Sequence, residues 1–200
     1  MNPPRKRRVI LLGSTGSIGR SALKVAAHLP ERIEMVALAA HGNAALLAEQ
    51  ARETGARHVA IFDESKVAEL RSALPAGVTV HVGSEGLVEL CRAVEADIAL
   101  VAIVGTAGLQ PALEAIRTGK ELAIASKEIL VMAGEIVTGE ARRHGVKLLP
   151  VDSEHNAIFQ CLDGHKGGAE DVSRLILTAS GGPFRKTPAS ELATVDVRQA

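Results

Sequence analysis

Val9-Ile10-Leu11-Leu12-Gly13-Ser14-Thr15-Gly16-Ser17-Ile18-Gly19-Arg20 decides how this chain folds. Four aliphatic residues closed by a glycine read as a short strand. Apolar residues then recur at helical spacing over 18–29. Strand, glycine turn and helix in direct succession form the setting in which a dinucleotide's pyrophosphate is held. The glycines allow a tight turn and close approach of backbone amides, and the helix N-terminus adds unpaired N–H groups and a positive dipole end. The spacing is Gly-x-x-Gly-x-x-Gly rather than the commoner Gly-x-Gly-x-x-Gly. The same residues therefore also read as a tight strand–helix turn without a ligand.

Outward from this point the pattern repeats. Strand-like runs cover 9–12, 33–39, 58–62, 78–82, 98–104, 122–125 and 146–151. Helical stretches lie between them, at 18–29, 44–54, 65–74, 86–94, 108–118 and 128–144. Gly55, Gly119 and Gly145 follow helical stretches where a C-cap is needed. Short strands alternating with helices predict an α/β fold, a Rossmann-like doubly wound parallel sheet. The texture changes after Val151: a helix over 155–162, a polar loop over 163–168, and an alternating strand over 172–178. The expected organisation is a dinucleotide-binding domain over 1–150, followed at 151–200 by the incomplete beginning of an α+β domain.

Composition excludes several functions. Lys+Arg and Asp+Glu balance at 23 each in 200 residues, without the basic excess of a nucleic-acid binder. Phe62, Phe159 and Phe184 are the only aromatics, too few for base stacking. No apolar run is long enough for a membrane span. Arg5-Lys6-Arg7-Arg8 leads straight into a strand rather than into the apolar core of a secretory leader. Cys91 and Cys161 lack a partner at metal or redox spacing, so both are expected to be buried packing residues in a reducing compartment. That fits a bacterial cytoplasm, or a plastid after loss of a transit peptide.

Pro150-Val151-Asp152-Ser153-Glu154-His155 carries the second chemical signal. In an extended segment Asp152 and Glu154 point the same way. Adjacent carboxylates repel unless a cation or proton lies between them, and oxygen-only ligation suits Mg²⁺ or Mn²⁺. The alternative is an Asp152 that caps the following helix, with Glu154 in its first turn.

Other strand ends offer further candidates. The second ends Ala39-Ala40-His41-Gly42-Asn43, without the carboxylate that accepts the ribose hydroxyls of NAD, so NADP is preferred. Lys127 and Glu128, after Ser126, could meet substrate and cofactor, or be an ordinary first helical turn. Ser180-Gly181-Gly182 reads as an anion nest or a plain turn.

Together the segments 13–19, 102–109, 126–128, 149–160 and 180–185 resemble the 1-deoxy-D-xylulose-5-phosphate reductoisomerase family along nearly the whole chain. The resemblance implies an enzyme that uses NADPH and a divalent metal to rearrange and reduce a phosphorylated keto sugar, giving 2-C-methyl-D-erythritol 4-phosphate for isoprenoid synthesis. It implies Asp152 and Glu154 as metal ligands, and Lys127 and Glu154 as catalytic residues. Lys127, Ser153, Glu154 and Ser180 would touch substrate. Thr15, Gly16, Ser17 and Ile18 would line the pyrophosphate, with Gly42, Asn43, Ser126 and Glu128 along the rest of the cofactor. His155 is expected only to start its helix. Two positions depart from the family: Ser126, often Asn, and Gly42, often basic. A third carboxylate ligand, an active-site loop and a helical domain are expected beyond Ala200, so the chain alone should show little turnover. A homodimer is expected of the full-length protein. The other readings are an NADP-linked dehydrogenase of the aspartate-semialdehyde type, with a catalytic cysteine, and a non-catalytic nucleotide-binding module.

Overall fold

Alternation along the first strand sets the architecture. β1 (Arg7–Leu12) turns Ile10 and Leu12 to one face and Val9 and Leu11 to the other, and all four are buried. Such a strand belongs inside a parallel sheet covered on both sides. Six more follow: β2 (Ile33–Ala40), β3 (His58–Ile61), β4 (Thr79–Val82), β5 (Ile98–Val101), β6 (Glu121–Ile124) and β7 (Leu148–Pro150). All pair in parallel, in the order β4-β3-β2-β1-β5-β6-β7. The computed structural model describes residues 5–163, 167–178 and 182–199. Contacts divide the chain into two units, Met1–Val151, which holds the sheet, and Asp152–Ala200.

Six helices cover the sheet: α1 (Ser17–His28), α2 (Ala44–Thr54), α3 (Val67–Ala73), α4 (Gly83–Ala93), α5 (Leu109–Arg117) and α6 (Lys127–His144). On one face Leu11, Leu38, Val59 and Ile61 pack with Leu47 of α2, Leu70 of α3 and Leu23 of α1. On the other, Leu12, Val101 and Leu122 meet Leu90 of α4, Ile116 of α5 and Val137 of α6. Full burial of each such side chain contributes about 2 kcal/mol, several times a surface helix pair, so these two layers hold the unit together.

The boundaries depart from the sequence reading for local reasons. The strand expected over 98–104 ends at Val101. Its neighbour β1 turns away into the glycine loop, and the N–H of Ala102 makes the last bond, to the carbonyl of Leu12 at 2.8 Å. The helix expected over 65–74 opens as a 3₁₀ turn, Glu64–Lys66, because the Asp63 carboxylate accepts from the Ser65 N–H. α6 is broken at Ala133, whose backbone is not helical (φ −139°, ψ 28°).

The second unit contains α7 (Ser153–Leu162) and the 3₁₀ turns Ala169–Asp171, Gly182–Phe184, Ala189–Thr194 and Val197–Gln199. The alternating pattern over 172–178 does not become a strand. A strand is held by its ladder partner, and the described residues of this unit supply none. Leu175, Ile176 and Leu177 are accordingly exposed. Cys161, expected to be buried, is exposed as well, whereas Cys91 is buried in the core.

Candidate functional site

The turn between β1 and α1 requires its glycines. Gly13 has φ +96°, and a Cβ there would lie 2.5 Å from the Ala102 carbonyl oxygen. At Gly19 a Cβ would come within 2.2 Å of the Gly13 carbonyl oxygen. The turn is thus wedged between β5 and its own helix. The N–H groups of Gly13 and Ser14 both reach the Ala39 carbonyl, at 2.9 and 2.8 Å. Gly16 differs, since a Cβ there would meet only the Gly13 oxygen at 3.5 Å. It is the N-cap of α1 and offers no side-chain bond to the first turn. The amides at Ser17 and Ile18 therefore stand at an uncapped helix start, the arrangement that receives an anion.

A cavity of about 330 Å³ opens at the carboxyl ends of the strands, lined by Gly13, Thr15 and Gly16 from this turn and by Ala102, Ile103 and Val104 after β5. It extends under the end of β2, where His41 stacks on Phe62 with ring centroids 5.1 Å apart. Gly42 faces the Asp63 carboxylate, 3.4 Å from where its Cβ would be. The Ser65 hydroxyl and N–H, with His41 nearby, hold the Asp63 carboxyl below the ordinary carboxylate range. The Asn43 side chain accepts from the Leu46 N–H at 3.1 Å as the cap of α2. Sequence reasoning gave no site role to Phe62 or Asp63, nor to Ile103 and Val104, which it quoted only within the resembling segment 102–109. Asp63 had a signal, since an Asp two residues before Ser at a strand end is a capping pattern.

Ser126, Lys127 and Glu128 begin α6. Ser126 is buried and its hydroxyl lies 3.3 Å from the Gly105 carbonyl and 3.1 Å from the Glu128 carboxylate. It joins the segment after β5 to the first turn of α6. Glu128's own N–H and the Ser126 hydroxyl keep the Glu128 carboxyl low. Lys127 is exposed.

In the second unit Asp152 is the N-cap of α7. Its Oδ1 accepts from the N–H groups of Glu154 (3.1 Å) and His155 (2.8 Å) and lies 2.7 Å from the His155 Nδ1. Partial burial raises the pKa of this carboxyl, but the bonds from His155 and Glu154 outweigh it and leave it below the ordinary range. The capping reading of Asp152 is thus realised, with Glu154 in the first turn. One oxygen of Asp152 is committed to the cap. Its other oxygen and the Glu154 carboxylate are hard oxygen donors of the kind Mg²⁺ or Mn²⁺ takes, but Glu154 is already helical, so the extended, same-side pairing expected of positions 152 and 154 does not form. Among the described residues no group of three or more potential metal ligands occurs. Ser153 is the first residue of α7, and Ser180 lies outside the described residues. The thioester chemistry of an aspartate-semialdehyde type enzyme has no candidate in Cys91, whose thiol burial pushes up to about 12.

A parallel sheet whose order reverses between β1 and β5, with a glycine turn opening on a crevice at that point, defines a Rossmann-like doubly wound fold, the class in which ligands sit at the switch point. The chain belongs to the 1-deoxy-D-xylulose 5-phosphate reductoisomerase family. The family's sequence model matches residues 9–134, and that of its C-terminal domain matches residues 148–200. The reductoisomerase of Protochlamydia amoebophila is 47% identical over 194 residues, covering 97% of this chain and 50% of that protein. That of Prosthecochloris aestuarii is 49% identical over 191 residues, covering 95% and 50%. The Zymomonas mobilis enzyme, solved in complex with NADPH, superposes with a TM-score of 0.84 at 46% identity, over 98% of this chain and 51% of that one. A reductoisomerase structure with NADPH, fosmidomycin and magnesium gives 0.80 at 34% identity, over 97% and 50%. The chain spans about half the length of the curated relatives it matches.

Proposed function

We propose that this chain is part of an enzyme that uses NADPH and Mg²⁺ or Mn²⁺ to rearrange and reduce 1-deoxy-D-xylulose 5-phosphate to 2-C-methyl-D-erythritol 4-phosphate in non-mevalonate isoprenoid synthesis. Residues 1–150 would bind NADPH, and 151–200 would begin the catalytic, metal-binding domain. The observation that carries this reading is the crevice above Gly16, open at an uncapped helix start, in a chain of this family. The NADPH and magnesium named for the solved relatives support it.

Thr15, Gly16, Ser17 and Ile18 would cradle the pyrophosphate, while Gly42, Asn43, Ser126 and Glu128 border the remainder of the cofactor. Asn43, its side-chain oxygen committed to the cap, keeps its NH₂ to donate. The Ser126 hydroxyl can donate to Gly105 or to Glu128, one at a time, leaving the other acceptor to the cofactor. Asp152 and Glu154 would hold the cation, with Lys127, Ser153, Glu154 and Ser180 on the phosphorylated keto sugar. When bound, NADPH supplies the hydride and the cation supplies Lewis acidity to the sugar's carbonyl and hydroxyl oxygens. Lys127 and Glu154 would carry the catalytic proton and charge work. With two carboxylates as its described ligands, the 200-residue chain should bind cofactor without appreciable turnover. We place the full-length protein in the bacterial cytoplasm as a homodimer.

Fluorescence titration of the chain tests the cofactor assignment. NADPH should bind more tightly than NADH, because β2 ends without an acid to hold the ribose hydroxyls. Equal affinities would remove that argument, with Asp63 beside Gly42 the first residue to suspect.

A further inference from the structure

Gln50, on α2, is 4% exposed and reaches across to the glycine turn, where its Nε2 donates to the Ser14 carbonyl at 3.1 Å. Ser14 is itself wholly buried. Two polar atoms of this pair, Ser14 Oγ and Gln50 Oε1, are buried without a hydrogen-bond partner among the described residues. Buried unpaired groups cost free energy, so an aliphatic side chain would serve the packing of α2 better. What Gln50 supplies is therefore the bond to Ser14.

The consequence follows from the planarity of the peptide unit. The carbonyl of Ser14 and the N–H of Thr15 belong to one trans peptide and point in opposite directions. Fixing the carbonyl toward α2 turns the Thr15 N–H the other way, and Thr15 lines the crevice. The remaining groups of the turn are held by other means. The N–H groups of Gly13 and Ser14 are tied to Ala39, and the Gly13 carbonyl accepts from Gly16 at 3.2 Å. The Ser14–Thr15 peptide depends on Gln50. Rotated by half a turn, it would aim a carbonyl oxygen at the pyrophosphate in place of a donor.

We infer that Gln50 is a positioning residue for the cofactor: through the Ser14 carbonyl it orients the Thr15 amide as a pyrophosphate donor. This rests on the NADPH reading above. The test compares the whole 200-residue chain with its Gln50→Met variant, which keeps volume and deletes the donor. Two ligands are titrated: NADPH, and adenosine 2′-monophosphate, which lacks the pyrophosphate. The variant should bind NADPH about tenfold more weakly and hold adenosine 2′-monophosphate unchanged. Unchanged NADPH affinity overturns the inference, and so does an equal loss for both ligands, which would mark general loosening. A second measurement needs no variant. In the wild-type chain, inorganic pyrophosphate should shift the Thr15 amide resonance, and a Thr15 amide that stays still while those of Ser17 and Ile18 move overturns it. Failure of wild type to bind NADPH at all removes the cofactor reading itself, an outcome distinct from every other.

Discussion

α6 and α7 are both amphipathic and both begin at a strand end, yet they are held differently. α6 buries Ile129, Val137 and Ala141 against the sheet, whereas α7 buries none of its residues and leaves Phe159 and Leu162 exposed. The same contrast separates the two units. All the buried side chains of the described residues lie in the first, and in the second Leu175, Ile176 and Leu177 stand 62 to 65% exposed. The candidate cofactor residues thus sit on a frame fixed by a core. The candidate cation residues sit on a helix fixed by its own cap. Affinity for the cofactor should survive changes that leave the core intact, while affinity for a cation depends on local bonds around Asp152.

The largest expected effect tests whether the contrast is energetic. Leu122 is wholly buried in β6. Leu122→Ala should cost about 3 kcal/mol of unfolding free energy, the sum of lost transfer and the cavity left behind. Leu177→Ala, at a site 63% exposed, should change it by less than about 0.5 kcal/mol. Urea unfolding measures both. A large loss at Leu177 would mean that the second unit has a core of its own and would end the comparison.

A smaller effect separates the two roles of Asp152. Asp152→Ala removes the acceptor for the Glu154 and His155 N–H groups and should cost α7 about 1 kcal/mol, seen as a loss of helical circular dichroism with the main unfolding transition unmoved. Asp152→Asn keeps a good cap and removes the charge, so the helix should persist. Both variants should lose Mn²⁺ binding. If Asp152→Asn retains it, the residue is a cap and nothing more.

The first unit was legible in the sequence because its signals were redundant. An aliphatic run, a glycine turn and a helical period agree at β1 and α1, and each alone would have sufficed for the element. Within the site, the glycines were legible from their spacing, but the residues that meet at Phe62 and Ile103 were not. Their place in the crevice follows from which strands become neighbours, which no local pattern states. The pattern over 172–178 failed for the complementary reason. Alternation specifies which side of a strand faces a core, and it cannot supply the partner strand that makes the segment a strand. At Asp152 both readings of the sequence fall on one side chain through different oxygens, since a carboxylate at a helix start can cap with one and ligate with the other.

The smallest effect asks whether the first unit is uniformly firm. At its β4 edge, His58 Nδ1 and His81 Nε2 lie 3.4 Å apart with stacked rings, and the Glu89 carboxylate from α4 is 3.6 Å from His81 Nδ1. Burial first, and the neighbouring His81 second, lower the His58 pKa below 6.5. The unfolded chain therefore takes up this proton before the folded one does. The associated stability is complete above the ordinary imidazole pKa and is lost as pH falls through it. Between about pH 7.5 and 5.5 the thermal midpoint of the wild-type chain should fall further than that of His58→Gln. Amide exchange should quicken at Ala60 and Val80, on the two strands that carry the pair, before it does at Leu11 in the centre of the sheet. If the wild-type and variant curves run parallel across that range, the edge is as firm as the middle, and the divide between a fixed and a loosely held region falls wholly between the two units.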